Sequence, residues 1–255
     1  MWSHITPHCI YLLNYIHMKR NTLILLLAVL LAGATFNAKA QNLQVFYDTE
    51  RGCVTSTLEM FRPDAFGSTF YFVDMDYNPT AIGAYTEIAR ELCFWQDTDW
   101  NWLSIHVEFD GGLTTFATPM GTMAARFNNN WLAGLTYSGH SADFSKTWSV
   151  SAMYKAIPGL KDYTGKCRMH SFQLTGVWGL SLFQGWCSFS GFADFWREAD
   201  TSIFLAEPQL WVNLNKIPGW NNIPLSVGGE VELSYNFGGS DGFFVRPALG
   251  AKWTF

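Results

Sequence analysis

The feature that most constrains this chain is an alternation of apolar and polar residues in which acids occupy the middle of the polar face. In 225–237 (LSVGGEVELSYNF) the apolar set Leu225, Val227, Val231, Leu233, Tyr235 and Phe237 alternates with Ser226, Glu230, Glu232, Ser234 and Asn236. A period of two predicts a β-strand with one apolar and one polar face. Burying such glutamates in the core of a soluble sandwich would cost several kcal/mol each. The polar face must therefore be wet, and the apolar face needs a different environment.

The same alternation recurs in segments of about 8–12 residues separated by turn signals. Clear examples are WLSIHVEFDGG, WLAGLTYS, KTWSVSAMYK and the last stretch, GFFVRPALGAKWTF. No comparable helical period is present. The segments centre on 43–49, 54–62, 69–77, 82–95, 102–111, 130–138, 147–156, 170–180, 186–198, 202–214, 225–237 and 242–255. The sequence thus predicts an all-β protein with twelve strands.

The composition favours lipid as the second solvent. Aromatic residues make up 17% of the chain and charged residues only 15%, which is unusual for a soluble domain. In lipid, only a closed barrel satisfies the backbone hydrogen bonds of strands, and an even strand number is typical of single-chain bacterial outer-membrane barrels. We therefore predict a twelve-stranded antiparallel transmembrane β-barrel of the bacterial outer membrane. A soluble sandwich or a lipocalin-like barrel is the alternative.

The first part of the chain predicts export. Residues 18–40 have a basic start (Lys19, Arg20), a short apolar run and Ala38-x-Ala40, the layout of a cleaved signal peptide. Cleavage is expected after Ala40. A retained signal anchor is the alternative. Residues 1–17 make little sense upstream of such a signal, so Met18 is the expected start and 41–255 the barrel.

The last strand is predicted to pair with the first, NLQVFYD, which would leave no edge unpaired. A terminal aromatic on an alternating strand resembles the sorting signal that the outer-membrane assembly machinery recognises. Phe255 is therefore expected to contact that machinery, and the apolar faces of the strands are expected to contact outer-membrane lipid.

Charge and cysteine patterns exclude several functions. Three of the 16 basic residues precede Gln41 and none of the 21 acidic ones does, so the barrel is strongly acidic and no basic patch supports nucleic-acid binding. The barrel's four cysteines, Cys53, Cys93, Cys167 and Cys187, form no CxxC pair and no zinc-type cluster, and we expect free thiols. No cofactor or metal site is predicted.

Strand count also predicts the orientation. With both ends of the barrel segment periplasmic, PDAFGS, QDTDWN and LFQG would be periplasmic connections, and 112–129 and 156–169 the longest outer loops. Six tryptophans then fall near the periplasmic ends, as an interfacial girdle requires: Trp95, Trp100, Trp102, Trp186, Trp220 and Trp253. One residue fits poorly, because the alternation in YTEIARELCFW directs Arg90 toward lipid. Either Arg90 reaches the headgroups or a bulge shifts the register there.

The same alternation predicts which residues face the lumen. Acids dominate this face, whereas its bases are few (Lys155, Arg246, Lys252), and such a lining disfavours anions and admits small neutral or cationic solutes. Inward aromatic rings offer stacking surfaces. The predicted pore-lining residues are Asp74, Asp76, Glu87, His106, Glu108, Phe192, Asp194, Trp196, Glu198, Glu207, Trp211, Glu230, Glu232, Phe244 and Arg246, with Glu91 and Asp110 as further inward acids. The alternative is that the aromatics merely fill a narrow barrel and the acids pair with Arg246 and Lys252.

Several stretches resemble an uncharacterised family of outer-membrane barrels from Bacteroidetes: EMFRPDAFGSTFYFVDMDY, EIARELCFW, SFQLTGVW, FSGFADFWRE and AKWTF. That family is itself distantly similar to the nucleoside-specific channel-forming (Tsx-type) proteins. The resemblance covers essentially all of 41–255 and implies a monomeric twelve-stranded barrel and passive uptake of nucleosides. No individual substrate contact is implied, because no Tsx-type motif aligns residue by residue.

Two other functions remain open at this point. An outer-membrane enzyme acting on lipid would need a nucleophile and a base within hydrogen-bond reach, and Ser104 and His106 share one face of a strand. That face is predicted to be inside the barrel, however, and no GxSxG motif occurs, so we predict no enzymatic activity. A structural barrel without a wide pore is the other alternative.

Overall fold

The computed structural model describes residues 41–78, 81–127 and 129–255, so the predicted signal peptide, its cleavage site and the upstream residues 1–17 lie outside them. The strands are β1 (Gln41–Asp48), β2 (Cys53–Asp64), β3 (Gly67–Asn78), β4 (Ala81–Leu92), β5 (Leu103–Thr118), β6 (Gly121–Arg126), β7 (Asn130–His140), β8 (Lys146–Ala156), β9 (His170–Leu182), β10 (Cys187–Glu198), β11 (Thr201–Ala206), β12 (Gln209–Asn213), β13 (Leu225–Tyr235) and β14 (Phe243–Thr254). In the described part of the chain the only helices are three short 3₁₀ turns. None of these is long or apolar enough to cross a membrane.

The strands close into a barrel. Sequential wall strands pair antiparallel, and the circle is completed where β1 pairs with β14, from Asn42 opposite Thr254 to Asp48 opposite Ala248. Fourteen strands give twelve wall positions for two reasons: β6 pairs only with β5, and β11 and β12 share one position between β10 and β13. The described chain is therefore a closed twelve-stranded antiparallel β-barrel, which confirms the predicted fold class.

The strand predicted over 202–214 is interrupted at Glu207 and Pro208 without a change of register. Ala206 lies opposite Ala193 before the break and Gln209 opposite Ser190 after it, so each side continues the same pairing. Proline has no backbone N–H to donate to a ladder. The carbonyl of Pro208 still accepts a hydrogen bond from the N–H of Val231 at 3.1 Å, which keeps the wall continuous.

The prediction of a loop over 112–129 is wrong for residues 113–126, which form a β-hairpin. Strand β5 continues to Thr118 and pairs with β6, from Leu113 opposite Arg126 to Thr118 opposite Gly121. The hairpin turns tightly at Gly121, whose φ of 118° favours glycine. All residues of β6 are exposed, so neither face of this strand is buried and its sequence shows no apolar–polar alternation from which a strand could be predicted.

The two faces of the barrel differ as the alternation predicts. Outward side chains in mid-strand are apolar and exposed, for example Ile88 on β4, Leu135 on β7 and Val245 on β14. Inward side chains are largely polar and buried, such as Gln44 and Gln173. An apolar exterior around a polar interior is the arrangement of a barrel that spans lipid.

The two ends of the barrel are distinct. One end, which we call the terminal end, carries Gln41, Thr254 and the connections 65–66, 93–102, 141–145, 183–186 and 214–224. All six tryptophans of the predicted girdle lie in or beside these segments. The opposite end, the loop end, carries 49–52, the β5–β6 hairpin, 157–169, 199–200 and 236–242. The described cysteines are free thiols, as predicted.

Arg90 points outward, and no bulge accompanies it. The pairing of β4 with β3 and with β5 is continuous through this position. At the terminal end, the Arg90 guanidinium makes two hydrogen bonds to the carboxylate of Asp64, at 2.7 and 2.8 Å, and a third to Thr69 at 3.0 Å. A bidentate carboxylate partner therefore accounts for an arginine on the apolar face.

Part of the interior is a small apolar core. Phe46, Trp211 and Ala248 bury one another, with the Phe46 and Trp211 ring centroids 5.6 Å apart. A Cβ atom at Gly250 would lie only 2.6 Å from the Phe46 ring, so glycine at this position leaves the space that the ring occupies. This core fills the lumen beside β12 and β14.

Candidate functional site

The barrel encloses a cavity of about 1500 Å³. Along β2 and β3 the lining runs the length of the wall, from Pro63 and Ser68 near the terminal end to Thr55 and Asp76 near the loop end. On the opposite wall, the inward residues nearer the loop end pack closely instead: Leu132, Met153, Lys155 and Ile157 are all buried. The cavity is therefore off-centre.

Of the fifteen predicted pore-lining residues, eleven line this cavity: Asp74, Asp76, Glu87, His106, Glu108, Phe192, Asp194, Glu207, Glu230, Glu232 and Arg246. The other four, Trp196, Glu198, Trp211 and Phe244, are not part of its lining. The alternation fixes the face of the sheet on which a side chain lies. It does not say whether neighbours cover that side chain.

The aromatic residues among those four are held by other side chains. Trp211 is completely buried against Phe46, and Trp196 donates a hydrogen bond from its Nε1 to Glu198 at 2.9 Å. The ring of Phe244 lies 4.6 Å from the guanidinium carbon of Arg246. Phe192 is the one predicted stacking ring that lines the cavity.

Several cavity acids have neutral hydrogen-bond donors as partners. Thr57 donates to Asp74 and Thr175 to Asp194, both at 2.5 Å. Gln209 donates to Glu230 and Tyr85 to Glu87, at 2.9 and 2.8 Å. Among the described residues, no cationic group lies within salt-bridge distance of Asp74, Glu87, Asp194, Glu207 or Glu230. Hydrogen bonds from neutral groups therefore orient Asp74, Asp194, Glu230 and Glu87, and a base neutralises none of the five acids.

The interior bases contact other groups than these five acids. Arg246 binds Glu232 at 2.5 Å, as the space-filling alternative expected, and lies 3.4 Å from Glu50. Lys252 instead lies over the Trp211 ring, 4.6 Å from its centroid. At the loop end, Arg51 binds Asp48 at 2.6 Å and approaches Asp76 at 3.6 Å. Burial alone would lower the pKa of Arg51, but these two carboxylates outweigh it and raise the pKa.

His106 and Ser104 do not form a nucleophile–base pair. Both bind Glu91: the His106 Nδ1 lies 2.6 Å from Glu91 Oε1, and the Ser104 hydroxyl donates to Glu91 Oε2. The His106 Nε2 lies 3.1 Å from Glu108. Because both ring nitrogens are taken by carboxylates, this histidine does not activate Ser104. The arrangement is a buried polar network.

The lining residues that the sequence analysis missed include three aromatics on β2 and β3 and one base. Phe61, Phe70 and Phe72 line the cavity on β2 and β3, with the Phe70 and Phe72 centroids 5.9 Å apart, and Arg51 lines it at the loop end. The alternation could have identified Phe70 and Phe72, since they lie on the same face of β3 as Asp74 and Asp76. Arg51 lies in a turn, where alternation carries no information.

Fold and site together define a class: a transmembrane β-barrel with an acidic, partly aromatic cavity. Within this class, the chain belongs to the family described as "Domain of unknown function (DUF5020)", whose model matches residues 40–255. This is the family shown by the sequence, and the similarity to nucleoside-specific channels stays a prediction. No curated protein matches the chain significantly.

Solved structures with a similar fold include barrels described as porins. A KdgM porin matches with 11% identity and a TM-score of 0.49, over 85% of this chain and 99% of its own; a KdgM porin in complex with disordered oligogalacturonate matches with 12% identity and a TM-score of 0.48, over 85% and 99%. The outer membrane protein Omp33 of Acinetobacter baumannii matches with 10% identity and a TM-score of 0.40, over 84% and 96%. At such identities and scores, these similarities carry no argument about function.

Proposed function

We propose that this chain is a passive outer-membrane channel for small polar solutes that are neutral or cationic. The observation that carries the proposal is the cavity of about 1500 Å³ together with its five acids that no base neutralises. A lining in which acids outnumber bases disfavours anionic solutes and favours cationic or neutral ones. The enclosed Ser104 and His106 support no catalytic alternative.

Placement in the outer membrane is part of the proposal. It is supported by the apolar exterior, by the signal-peptide pattern of residues 18–40 and by the aromatic end of β14. The chain acts as a monomer, since β1 pairs with β14 and leaves no open sheet edge for a partner strand. The assembly machinery of the outer membrane would contact the last strand through Phe255.

Nucleosides are the finer proposal for the solute. The ring of Phe192 and the carboxylate of Asp194 line the cavity two residues apart on β10, so they share one face. Phe61, Phe70 and Phe72 add further rings. Stacking contributes about 1–3 kcal/mol per base, and a carboxylate accepts hydrogen bonds from ribose hydroxyls or base amino groups.

Liposome swelling with the purified barrel tests the channel. Neutral sugars, nucleosides and small cations should cause swelling faster than anions of equal size. The heat-denatured protein is the control. Swelling no faster than in protein-free liposomes for every solute would instead indicate a structural barrel without a conducting pore.

A further inference from the structure

Three carboxylates meet inside the barrel on neighbouring strands. Glu87 on β4 lies directly opposite Asp110 on β5 in the strand pairing, and Glu108 shares the inner face of β5 with Asp110. One oxygen from each of the three lies within 4.8 Å of the others. Like charges placed directly across a strand pair are destabilising, so this arrangement needs a compensating group.

Each carboxylate uses one oxygen for a protein neighbour. Tyr85 donates to Glu87 Oε1 at 2.8 Å, the His106 Nε2 contacts Glu108 Oε2 at 3.1 Å, and Asn130 donates to Asp110 Oδ2 at 3.4 Å. A carboxylate held through one oxygen presents the other in a fixed direction. This is how groups beyond the ligands orient carboxylates that bind a metal ion.

Two oxygens at this cluster have no hydrogen-bond partner among the described residues. They are Oδ1 of Asp110, a residue only 1% exposed, and Oδ1 of Asn130, which lies directly opposite Asp110 in the pairing of β5 with β7. An unpaired buried carboxylate oxygen is costly. Both are oxygen donors, so they point to a ligand that accepts electron pairs.

The protein's own cations do not fill this role. Lys155 Nζ lies 3.8 Å from the other oxygen of Asp110, Oδ2, and it donates to Gln173 Oε1 at 2.6 Å while facing the Trp196 ring. His106 is shared between Glu108 and Glu91. Neither group makes a salt bridge to Glu87 or a hydrogen bond to Oδ1 of Asp110.

We propose that Glu87, Glu108 and Asp110 bind a divalent cation of the calcium type, with the amide oxygen of Asn130 as a fourth donor. The donors are all hard oxygens, which suit Ca²⁺ rather than zinc. Two oxygens on opposite sides of Ca²⁺ lie about 4.8 Å apart at a metal–oxygen distance of about 2.4 Å, which fits the observed spacing. The ion would connect β4, β5 and β7.

Terbium luminescence provides the test. The chelator-treated, folded barrel in detergent is titrated with Tb³⁺ while aromatic residues are excited, since the Tyr85 hydroxyl binds Glu87 and would sensitise an ion held there. We expect saturable emission at one ion per chain that is displaced by Ca²⁺. E87Q and D110N should each weaken binding about tenfold or more, because fewer charged ligands lower calcium affinity.

The matched control is E59Q, which removes a carboxylate on β2, outside the cluster. It should bind Tb³⁺ like the native chain, and heat-modifiable gel mobility should show that each variant is folded. Absence of saturable binding in the folded native chain, or equal affinity in E87Q, D110N and E59Q, would overturn the proposal. Proton sharing among the three acids would then be their compensation. The site does not depend on the proposed channel, since ion binding is measured without solute passage.

Discussion

Charge should decide which ligand this cavity holds. Asp194 and Glu230 both line the cavity, and their hydrogen-bond partners, Thr175 and Gln209, are neutral. A nucleoside and its monophosphate offer the same base for stacking, so stacking on Phe192 does not distinguish them. The phosphate brings about two negative charges at neutral pH. We therefore predict that the nucleoside binds more tightly than its monophosphate.

The magnitude follows from Coulomb's law. Two unit charges 4 Å apart interact by about 1 kcal/mol in a medium as polar as bulk water, and more strongly where water is scarce. A carboxylate at that distance from a doubly charged phosphate therefore costs about 2 kcal/mol, and about 1.4 kcal/mol is a factor of ten in affinity. Neutralising Asp194 or Glu230 alone should reduce the ratio of nucleoside affinity to monophosphate affinity by about tenfold or more, and neutralising both should reduce that ratio further.

The assay is block of single-channel current in planar bilayers by nucleoside and by the matching monophosphate, for the native chain, D194N, E230Q and the double variant. E198Q is the matched control, because Glu198 lies on β10 like Asp194 but outside the cavity lining. The native difference should shrink at high salt, since the Debye length falls from about 10 Å at 0.1 M to about 3 Å at 1 M. Equal or tighter block by the monophosphate in the native chain would refute the acidic-cavity reasoning.

Three further outcomes are expected. In a chain without its native cysteines, E230C and E232C should react with a hydrophilic thiol reagent and V227C should not. S226C and S234C should react slowly, because both serines are buried. Equal reaction at 227 and 230 would contradict a wall with one polar and one apolar face. In the loop 157–169, Asp162 accepts hydrogen bonds from Thr164, Lys166 and Arg168, which lower its pKa from 3.8 to about 2. The ionised form of Asp162 therefore stabilises the loop above pH 3.8, and this stabilisation is lost as the pH falls toward 2. Pepsin should cleave the loop of the native chain faster at pH 2 than at pH 4, and D162N should be cleaved readily at both. A native loop that resists cleavage equally at both pH values would contradict the role of Asp162. Deleting Phe255 should reduce the heat-modifiable, folded fraction in cells more than shortening the β5–β6 hairpin does, and an unchanged fraction would count against the proposed sorting role.

Much of the barrel was predictable because a strand's two faces are encoded by neighbouring residues. The alternation in 225–237 and 242–255 predicted both strands within a few residues, and the strand count predicted closure of β14 on β1. Turn residues predicted the connections at the terminal end. Where alternation was absent, prediction failed, as for the exposed β5–β6 hairpin.

The site was predictable only in part. The alternation correctly predicted that Asp194 and Trp211 both face the lumen. Contacts between distant strands decide which of them is accessible: Asp194 lines the cavity, whereas Phe46 from β1 covers Trp211 from β12. Parity also directed Arg90 outward. That its charge is held by Asp64 from β2 depends on a contact 26 residues away in the chain.

The sequence by itself therefore determined the fold class, the number of wall strands and, where the alternation is clear, the face of the wall on which a side chain lies, because period-two alternation is a local property of the chain. Tertiary structure alone decided which inward groups remain accessible, which acids have bases as partners, and that Glu87, Glu108 and Asp110 converge. Those properties depend on how far strands are staggered as the barrel closes. Stagger brings together residues far apart in sequence, and no local pattern records it.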